Sequence, residues 1–426
     1  MELTTTNSTT AMQNGEKIEI RIARSLPEVE ALRELWMAWP SHRDSDIDFF
    51  LMIVQSYPEV LRPHVIALYR DGEPTAIMVG RLEKKRLAFN IGYLRVFGPS
   101  ARCLTFVYGA IHGDASPENT EILLREVMRS LKQKEADIAM LEFVPLDSPL
   151  YRLGLKLPGT FARDTLPAAQ PHDLMLIPDS IDKIYGRMSS KHRKNLRREV
   201  RRLFAEGEST RIVCYRSESD LDRLFHDAEE IAQKTYQRGL AAGFADNPQV
   251  RQRLALAAQK GWLRAHLLYI GDRPVTFWIG MLYNGTFVSE YMGYDPEFRQ
   301  FSPGMVLILR VIEGFCNRAN GDIIKELDFG LGHAEYKETL CSKNWLEAAV
   351  YMFSPSLKGI VLKSMRSTTR AADASARRVL ILTRFLPRFK RAWRDRLAKG
   401  TKLPPDLKKF DTSAIPRPTI HPETNS

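Results

Sequence analysis

The chain predicts an α/β fold with mixed sheets, repeated as two tandem copies. Three observations carry this. First, Pro274–Tyr283 and Thr286–Tyr294 are apolar, β-rich runs joined by Asn284-Gly285, the strongest two-residue hairpin signal. Second, a polar loop, Asp295–Phe301, leads to Ser302-Pro303-Gly304, which reads as N-cap, N1 and N2 of a helix. That helix runs to about Arg318 with Asn320-Gly321 as its stop, and a strand follows over Ile323–Phe329. Third, the same order occurs upstream. Leu68-Tyr69-Arg70-Asp71-Gly72-Glu73-Pro74 aligns with Leu268-Tyr269-Ile270-Gly271-Asp272-Arg273-Pro274, and Gly80 with Gly280. Ser116-Pro117 to Leu141-Glu142-Phe143 spans the same length as Ser302-Pro303 to Leu327-Asp328-Phe329.

Taken in order, residues 1–16 are Thr- and Asn-rich and are expected to be a disordered tail. The first unit, 17–170, opens with a strand at Lys17–Ala23. Ser25 caps a helix that presents Val29, Leu32, Leu35 and Trp36, and a second helix covers Ile47–Ser56. Strands follow at Val65–Tyr69 and Thr75–Arg81, joined at Asp71-Gly72. Extended chain from Leu87 to Val107, a helix from Ser116-Pro117 to about Lys134 and a strand at Ile138–Phe143 close the unit. The second unit, 171–356, begins with an insert: a strand at His172–Pro178 and a helical region from Asp179-Ser180 that includes a basic helix over 187–204. A strand at Thr210–Arg216, helices at Glu218–Tyr236 and Gln249–Lys260 and a strand at Ala265–Ile270 precede the hairpin. A basic helical tail, 357–402, and a Pro-rich end, 403–426, expected to be disordered, complete the chain.

At 426 residues the chain exceeds one ordinary core, and 44% apolar with 27% charged residues is a soluble, globular composition. It has no run of about 18 apolar residues to span a bilayer, and the first residues lack the apolar core of a secretory signal. Cys103, Cys214, Cys316 and Cys341 have no metal-ligand spacing, and the nine histidines form no zinc pattern, so no metal is expected. The cysteines read as thiols of a reducing compartment, and the expected location is cytoplasmic. The net charge of +11 is uneven: Arg187–Arg202 holds eight Lys/Arg against Glu199, and Lys358–Lys402 holds fourteen against Asp373 and Asp395. Such patches suit anionic partners. The aromatic residues that single-strand binders interleave with such charge are missing, which disfavours general nucleic-acid binding.

The two copies differ where an anion would sit. The first reads Gly113-Asp114-Ala115-Ser116-Pro117-Glu118, and its acids would repel a pyrophosphate. The second offers Arg299, Gln300, Ser302 and Gly304, with the free N–H groups of a helix start. The expectation is one degenerate copy and one ligand-binding copy.

Ser189-Ser190-Lys191 with Leu196-Arg197-Arg198, then Ser302-Pro303-Gly304, then Asp328-Phe329-Gly330 with Tyr336-Lys337, resemble the BioF2-like, cellulose-biosynthesis CelD-like branch of the GNAT acetyltransferase superfamily. The resemblance covers Ile18 to Phe353 and implies two tandem GNAT folds, the first degenerate, related to the Fem-type transferases that use aminoacyl-tRNA. It implies an acyltransferase of polysaccharide, cell-envelope or lipid biosynthesis, moving an acyl group, acetyl in the simplest case, from acyl-CoA to an amine or hydroxyl. Of the usual GNAT pyrophosphate loop, Arg299 and Gly304 survive, while Ser302-Pro303 replaces the rest. An aminoacyl-tRNA-dependent transferase is the alternative, although the chain shows no sustained heptads for a coiled-coil arm. A non-catalytic accessory protein is the third reading.

Acyl transfer needs a phosphate grip, a base and a proton donor for the leaving thiolate. Arg299, Gln300, Ser302, Gly304 and Met305 are the expected donor-binding residues. Glu290, on the strand leading into the loop, and Asp328, an acid in an apolar strand, are the candidate bases. The bland reading of Asp328 is a buried carboxylate holding Tyr336, Lys337 or a loop amide. Strand alternation puts Glu290 and Tyr291 on opposite faces. Tyr336, then Tyr291, are candidate proton donors, and Lys337 either binds an acidic acceptor or pairs with Asp328. Lys191, Arg197 and Arg198 would hold an anionic small-molecule, glycan- or lipid-linked acceptor; the competing reading is a solvated helix face whose apolar stripe is Leu196, Val200 and Leu203. The 358–402 tail reads equally as a peripheral contact with an acidic inner membrane face or as a helix packed on the body.

Overall fold

A computed structural model describes residues 8–382 apart from 14, 92–93, 166, 206–208, 236–237, 239–242, 319–320 and 333. In chain order, β1 (Ser8–Gln13), β2 (Glu16–Ala23), α1 (Leu26–Glu30), α2 (Arg33–Met37) and α3 (Ile47–Ser56) come first. β3 (Val60–Pro63), β4 (Val65–Arg70), β5 (Glu73–Ile91), β6 (Leu94–Gly113), α4 (Pro117–Lys132), β7 (Ile138–Pro145) and α5 (Pro149–Lys156) follow. Then come β8 (Ala169–Leu176), α6 (Ile181–Arg187), α7 (Ser190–Ala205), β9 (Thr210–Tyr215), α8 (Leu221–Gln233) and α9 (Pro248–Gln259). β10 (Leu263–Ile270), β11 (Arg273–Tyr283), β12 (Thr286–Tyr294), α10 (Pro303–Cys316), β13 (Glu326–Leu331), α11 (Glu335–Leu340), β14 (Lys343–Phe353) and α12 (Leu357–Leu382) complete the fold.

The chain forms two compact units. One holds residues up to Ala169 together with Leu346–Arg384; the other holds Gln170–Trp345. In the first, the strand order is β1-β2-β4-β5-β6-β7-β14, with β3 beside β5. Every pairing is antiparallel except β6 with β7, which is parallel. In the second the order is β9-β10-β11-β12-β13-β8, antiparallel except for β12 with β13. The α/β class and the repeat therefore hold at the level of topology. α4 and α10 are equivalent: α4 joins β6 to β7 and α10 joins β12 to β13, parallel neighbours that cannot be joined by a tight turn.

Several expectations need correcting. Ser8–Gln13, placed in a disordered tail, is an edge strand that pairs along β2 from Ser8↔Arg21 to Gln13↔Glu16. Four of its six residues are polar, Ala11 and Met12 are adjacent and exposed, and no apolar alternation betrayed it. The second unit was expected to end at 356. Instead, β14 pairs antiparallel with β7 from Glu347↔Pro145 to Phe353↔Ile138, which returns the chain to the first unit. α12 packs there too, through Leu362 against Leu87, Ile138 and Phe353. The region from 179 breaks into α6 and α7 at Met188, whose ψ of 149° is extended, and β13 starts at Glu326 rather than Ile323. Residues 383–402 of the expected tail and the 403–426 end lie outside the described residues.

The Asn284-Gly285 hairpin forms as read. Both turn residues have positive φ, 50° and 82°, which is the requirement of a type I′ turn. In the second unit the sheet is covered on both faces. Trp278, Phe287, Leu327 and Phe329 pack with α6, α7 and α10 on one. Phe277, Ile279 and Met281 pack with α8 and α9 on the other. Leu196, Val200 and Leu203 are the buried stripe of α7, as the sequence indicates. Among the described residues no helix is long and apolar enough to cross a membrane.

Candidate functional site

The parallel pair of the second unit is short. Thr286, Phe287 and Val288 face Glu326, Leu327 and Asp328, and there the pairing stops. Among the described residues β12 continues to Tyr294 bonded to β11 alone, so one edge of its second half is left open there. The pairing with β11 slips by one residue at this point, from Gly280↔Ser289 to Ile279↔Tyr291, which makes Glu290 a bulge. Gly280 permits it: a Cβ there would lie 2.4 Å from the Phe287 ring and 2.7 Å from the Val288 carbonyl oxygen.

The bulge overturns the strand-parity expectation. Glu290 and Tyr291 reach the same guanidinium, that of Arg253 on α9. Nη2 donates to Glu290 Oε2 at 2.5 Å and Nη1 to the Tyr291 hydroxyl at 3.3 Å. The side chains of Arg253 and Glu290 are only 9% and 5% exposed. A charge this enclosed persists because its partner is enclosed with it. Nothing in the sequence singled out Arg253, which sits 37 residues from Glu290.

Asp328 lies on the sheet face opposite Leu327 and Phe329. A bulge separates it from Gly330, whose φ is +68°. Its Oδ1 accepts the Gly330 N–H at 2.6 Å and contacts His172 Nε2 at 2.7 Å. With a carboxylate as acceptor, this contact assigns the proton to Nε2. The imidazole stacks on Trp345, ring centroids 4.5 Å apart and planes 12° from parallel. His172 comes from β8, 156 residues away in sequence, where only a strand was legible. The expected loop-amide bond of Asp328 is thus present. Lys337 Nζ donates to the carbonyls of Gly330, Leu331 and Gly332 at 3.1, 3.2 and 2.8 Å. Tyr336 meets the edge of Phe329 at 5.8 Å.

Beyond β12 the chain makes a 3-10 turn, Pro296–Phe301, before α10. Asp295, fully buried, caps it and accepts from Lys234 at 2.9 Å and Arg273 at 2.6 Å. Burial alone would push the Asp295 carboxyl up; Lys234, the Glu297 amide and Arg273 outweigh it and hold the group below its ordinary range. Arg299 and Gln300 are exposed. Ser302 departs from its expected role. At φ 47° it is left-handed and its hydroxyl caps nothing. No acid stands in the first turn of α10, and a Cβ on Gly304 would meet only the Tyr294 ring, at 3.8 Å. The amides of Gly304 and Met305 thus begin a 14-residue helix without a side-chain cap. Arg202, near the end of α7, lies 5.8 Å over the Phe301 ring and adds a cation beside the turn. Lys191, Arg197 and Arg198 are exposed farther along α7. Arg197 sits 4.9 Å over Tyr185 and bonds Asp182 at 3.2 Å.

Residues 190–338 match a family described as an acetyltransferase (GNAT) domain. No curated protein matches the chain. Among solved structures, FemX is similar at 13% identity over 68% of this chain and 88% of its own, with a TM-score of 0.44. The C-terminal domain of a putative lysylphosphatidylglycerol synthetase from Agrobacterium fabrum is 11% identical over 80% and 95%, with a TM-score of 0.45. A tandem GNAT protein from the clavulanic acid biosynthesis pathway is 9% identical over 80% and 99%, at 0.44. The family match covers the β12–β13 opening, the turn with its helix start, and Asp328. Over residues 190–338, about a third of the chain, the similarity is to a GNAT acetyltransferase domain.

Proposed function

We propose that the second unit transfers an acyl group from acyl-CoA to an amine or hydroxyl. The observation that carries this reading is the uncapped, acid-free start of α10, next to the strand β12 whose edge is left unpaired. An uncapped helix start presents amide N–H groups and the positive end of its dipole, and so suits a diphosphate. Gly304 and Met305 supply the amides, Ser302 turns the chain so that its hydroxyl does not block them, and Arg299 and Gln300 stand beside the turn. The unpaired edge of β12 offers backbone groups to an extended thioester arm, as a sheet edge does to an added strand.

In the transfer step the acceptor nitrogen or oxygen attacks the thioester carbonyl. A C–N or C–O bond forms, the C–S bond breaks, and the electron pair leaves on sulfur. The acceptor's proton passes to the His172–Asp328 pair, and the thiolate, whose conjugate acid has a pKa of about 8.5, takes up a proton directly or from Tyr336. Glu290 and Tyr291 act in this reading by fixing Arg253 beside the strand opening. The exposed cations Lys191, Arg197 and Arg198 suit an anionic acceptor, small or attached to a glycan or lipid.

Calorimetric titration and limited proteolysis of the full chain test the donor. Acetyl-CoA should bind and protect the 286–306 region from digestion. If saturating acetyl-CoA changes neither melting nor digestion, while aminoacyl-tRNA co-purifies with the chain, the donor is an aminoacyl-tRNA and this reading fails.

A further inference from the structure

The first unit has a cleft of its own. β6 and β7 pair in parallel only from Cys103↔Ile138 to Phe106↔Leu141 and then part. Where they part lies a cavity of about 180 Å³. Its walls are apolar, formed by Phe106, Val107, Ile111, Leu141, Val144 and Leu150. One carboxylate lines it, that of Glu142. Glu142 follows the last paired residue of β7, the place next to which Asp328 stands on β13.

Two backbone features shape the opening. Between Gly80↔Phe106 and Met78↔Ile111 the residues 107–110 bulge out of β6, with Gly109 at φ +66°. On β7, Phe143 takes φ +36°, a left-handed conformation that bulky side chains rarely adopt, at the point where the register with β14 slips. A bulge of this kind re-aims the side chains beside it.

Asp328 is engaged by a histidine and an amide, whereas Glu142 makes no hydrogen bond or ion pair among the described residues. Arg81 and Lys85, the nearest cations, are bonded to Glu83 at 2.5 and 2.6 Å, and Asp44 adds a further negative charge. Burial, against the pull of Arg81 and Lys85, pushes the Glu142 carboxyl up to about 7. An acid in an apolar cleft whose neighbouring cations are bonded to another carboxylate has room to accept from a donor or a cation of a ligand.

We infer that this cleft is a second ligand site, taking a primary ammonium on a short apolar stem. The ammonium donates to Glu142 and the stem lies along Phe106, Val107, Leu141 and Val144. An anionic ligand is disfavoured there by Glu142, the one carboxylate in the lining.

The inference does not rest on the acyl-transfer reading, and it is tested by binding without any acyl donor. Ligand-observed saturation-transfer NMR on the full chain would compare n-pentylamine, n-pentanol and pentanoate. The amine should bind at least tenfold more tightly than either analogue. Glu142→Gln keeps the shape of the side chain and should abolish that preference, leaving amine and alcohol equal. Glu142→Asp keeps the charge and should retain part of it. Equal binding of amine and pentanoate by the natural chain, or an undiminished amine preference in a folded Glu142→Gln variant, overturns the proposal. So does the absence of amine binding up to millimolar concentration.

Discussion

α4 and α10 occupy the same place in two copies of one topology, yet their first turns are finished in opposite ways. At α4 the Ser116 hydroxyl accepts the Asn119 amide at 3.4 Å, and Asp114 accepts the Ser116 amide at 2.9 Å and the Asn119 side chain at 2.8 Å. Glu118 adds an acid to the first turn. The donors that would greet an anion are already occupied by the chain's own oxygens. At α10 the equivalent serine is left-handed and caps nothing, and no acid is present. The strands repeat the contrast, with a histidine-held Asp328 in one cleft and, in the other, a Glu142 carboxylate with no hydrogen bond or ion pair among the described residues. One architecture thus carries an uncapped, acid-free helix start in one copy and a capped, acidic one in the other, through few changes of side chain.

The sharpest way to break the comparison is at His172, which holds Asp328. His172→Ala should lower acyl transfer by about 10²–10⁴-fold while leaving acetyl-CoA affinity unchanged, as measured by single-turnover thiol release and calorimetry. An equal loss of donor affinity would mean that His172 belongs to the donor site. Arg253→Leu comes next. It strands the Glu290 charge in a closed setting and should cost about 3–5 kcal/mol in urea unfolding, most of it recovered when Glu290 is also made Leu. A merely exposed pair would cost about 1 kcal/mol or less.

A paired exchange sharpens the contrast between the helix starts. Gly304→Asp gives α10 the kind of acid that α4 carries and should weaken acetyl-CoA about tenfold or more, the size of a lost charge-assisted hydrogen bond. Ser116→Ala, the matching lesion in α4, should cost about 1 kcal/mol of stability and leave that affinity alone. The finest distinction lies in pH. The folded chain holds the Glu142 proton more tightly than the unfolded chain does. Stability from this group is therefore present below about 4.5 and is lost as pH rises toward about 7. The charged groups around it are Arg81, Lys85, Glu83 and Asp44. The melting temperature of the natural chain should fall relative to that of Glu142→Gln across that window, and parallel curves would show that Glu142 is solvated.

What the residues disclosed follows from the range of the forces involved. The Asn284-Gly285 turn, the Leu196, Val200 and Leu203 stripe and the acids before α4 are local signals, and each was legible in the sequence. His172 with Asp328 and Arg253 with Glu290 are contacts across 156 and 37 residues, set by strand order and by a bulge that a repeating pattern does not encode. The Ser302 backbone was misread because Ser-Pro ordinarily begins a helix with its hydroxyl as the cap, and only φ reveals otherwise. β1 was hidden by its polarity, and the return of β14 to the first unit by its distance from β7.

Hydrogen exchange of the full chain, followed by mass spectrometry with and without saturating acetyl-CoA, tests the central contrast most directly. The account predicts slowed exchange at residues 302–306 and along 289–294, with residues 114–120 unchanged. Protection at 114–120, or none at 302–306 under conditions where acetyl-CoA demonstrably binds, would contradict it.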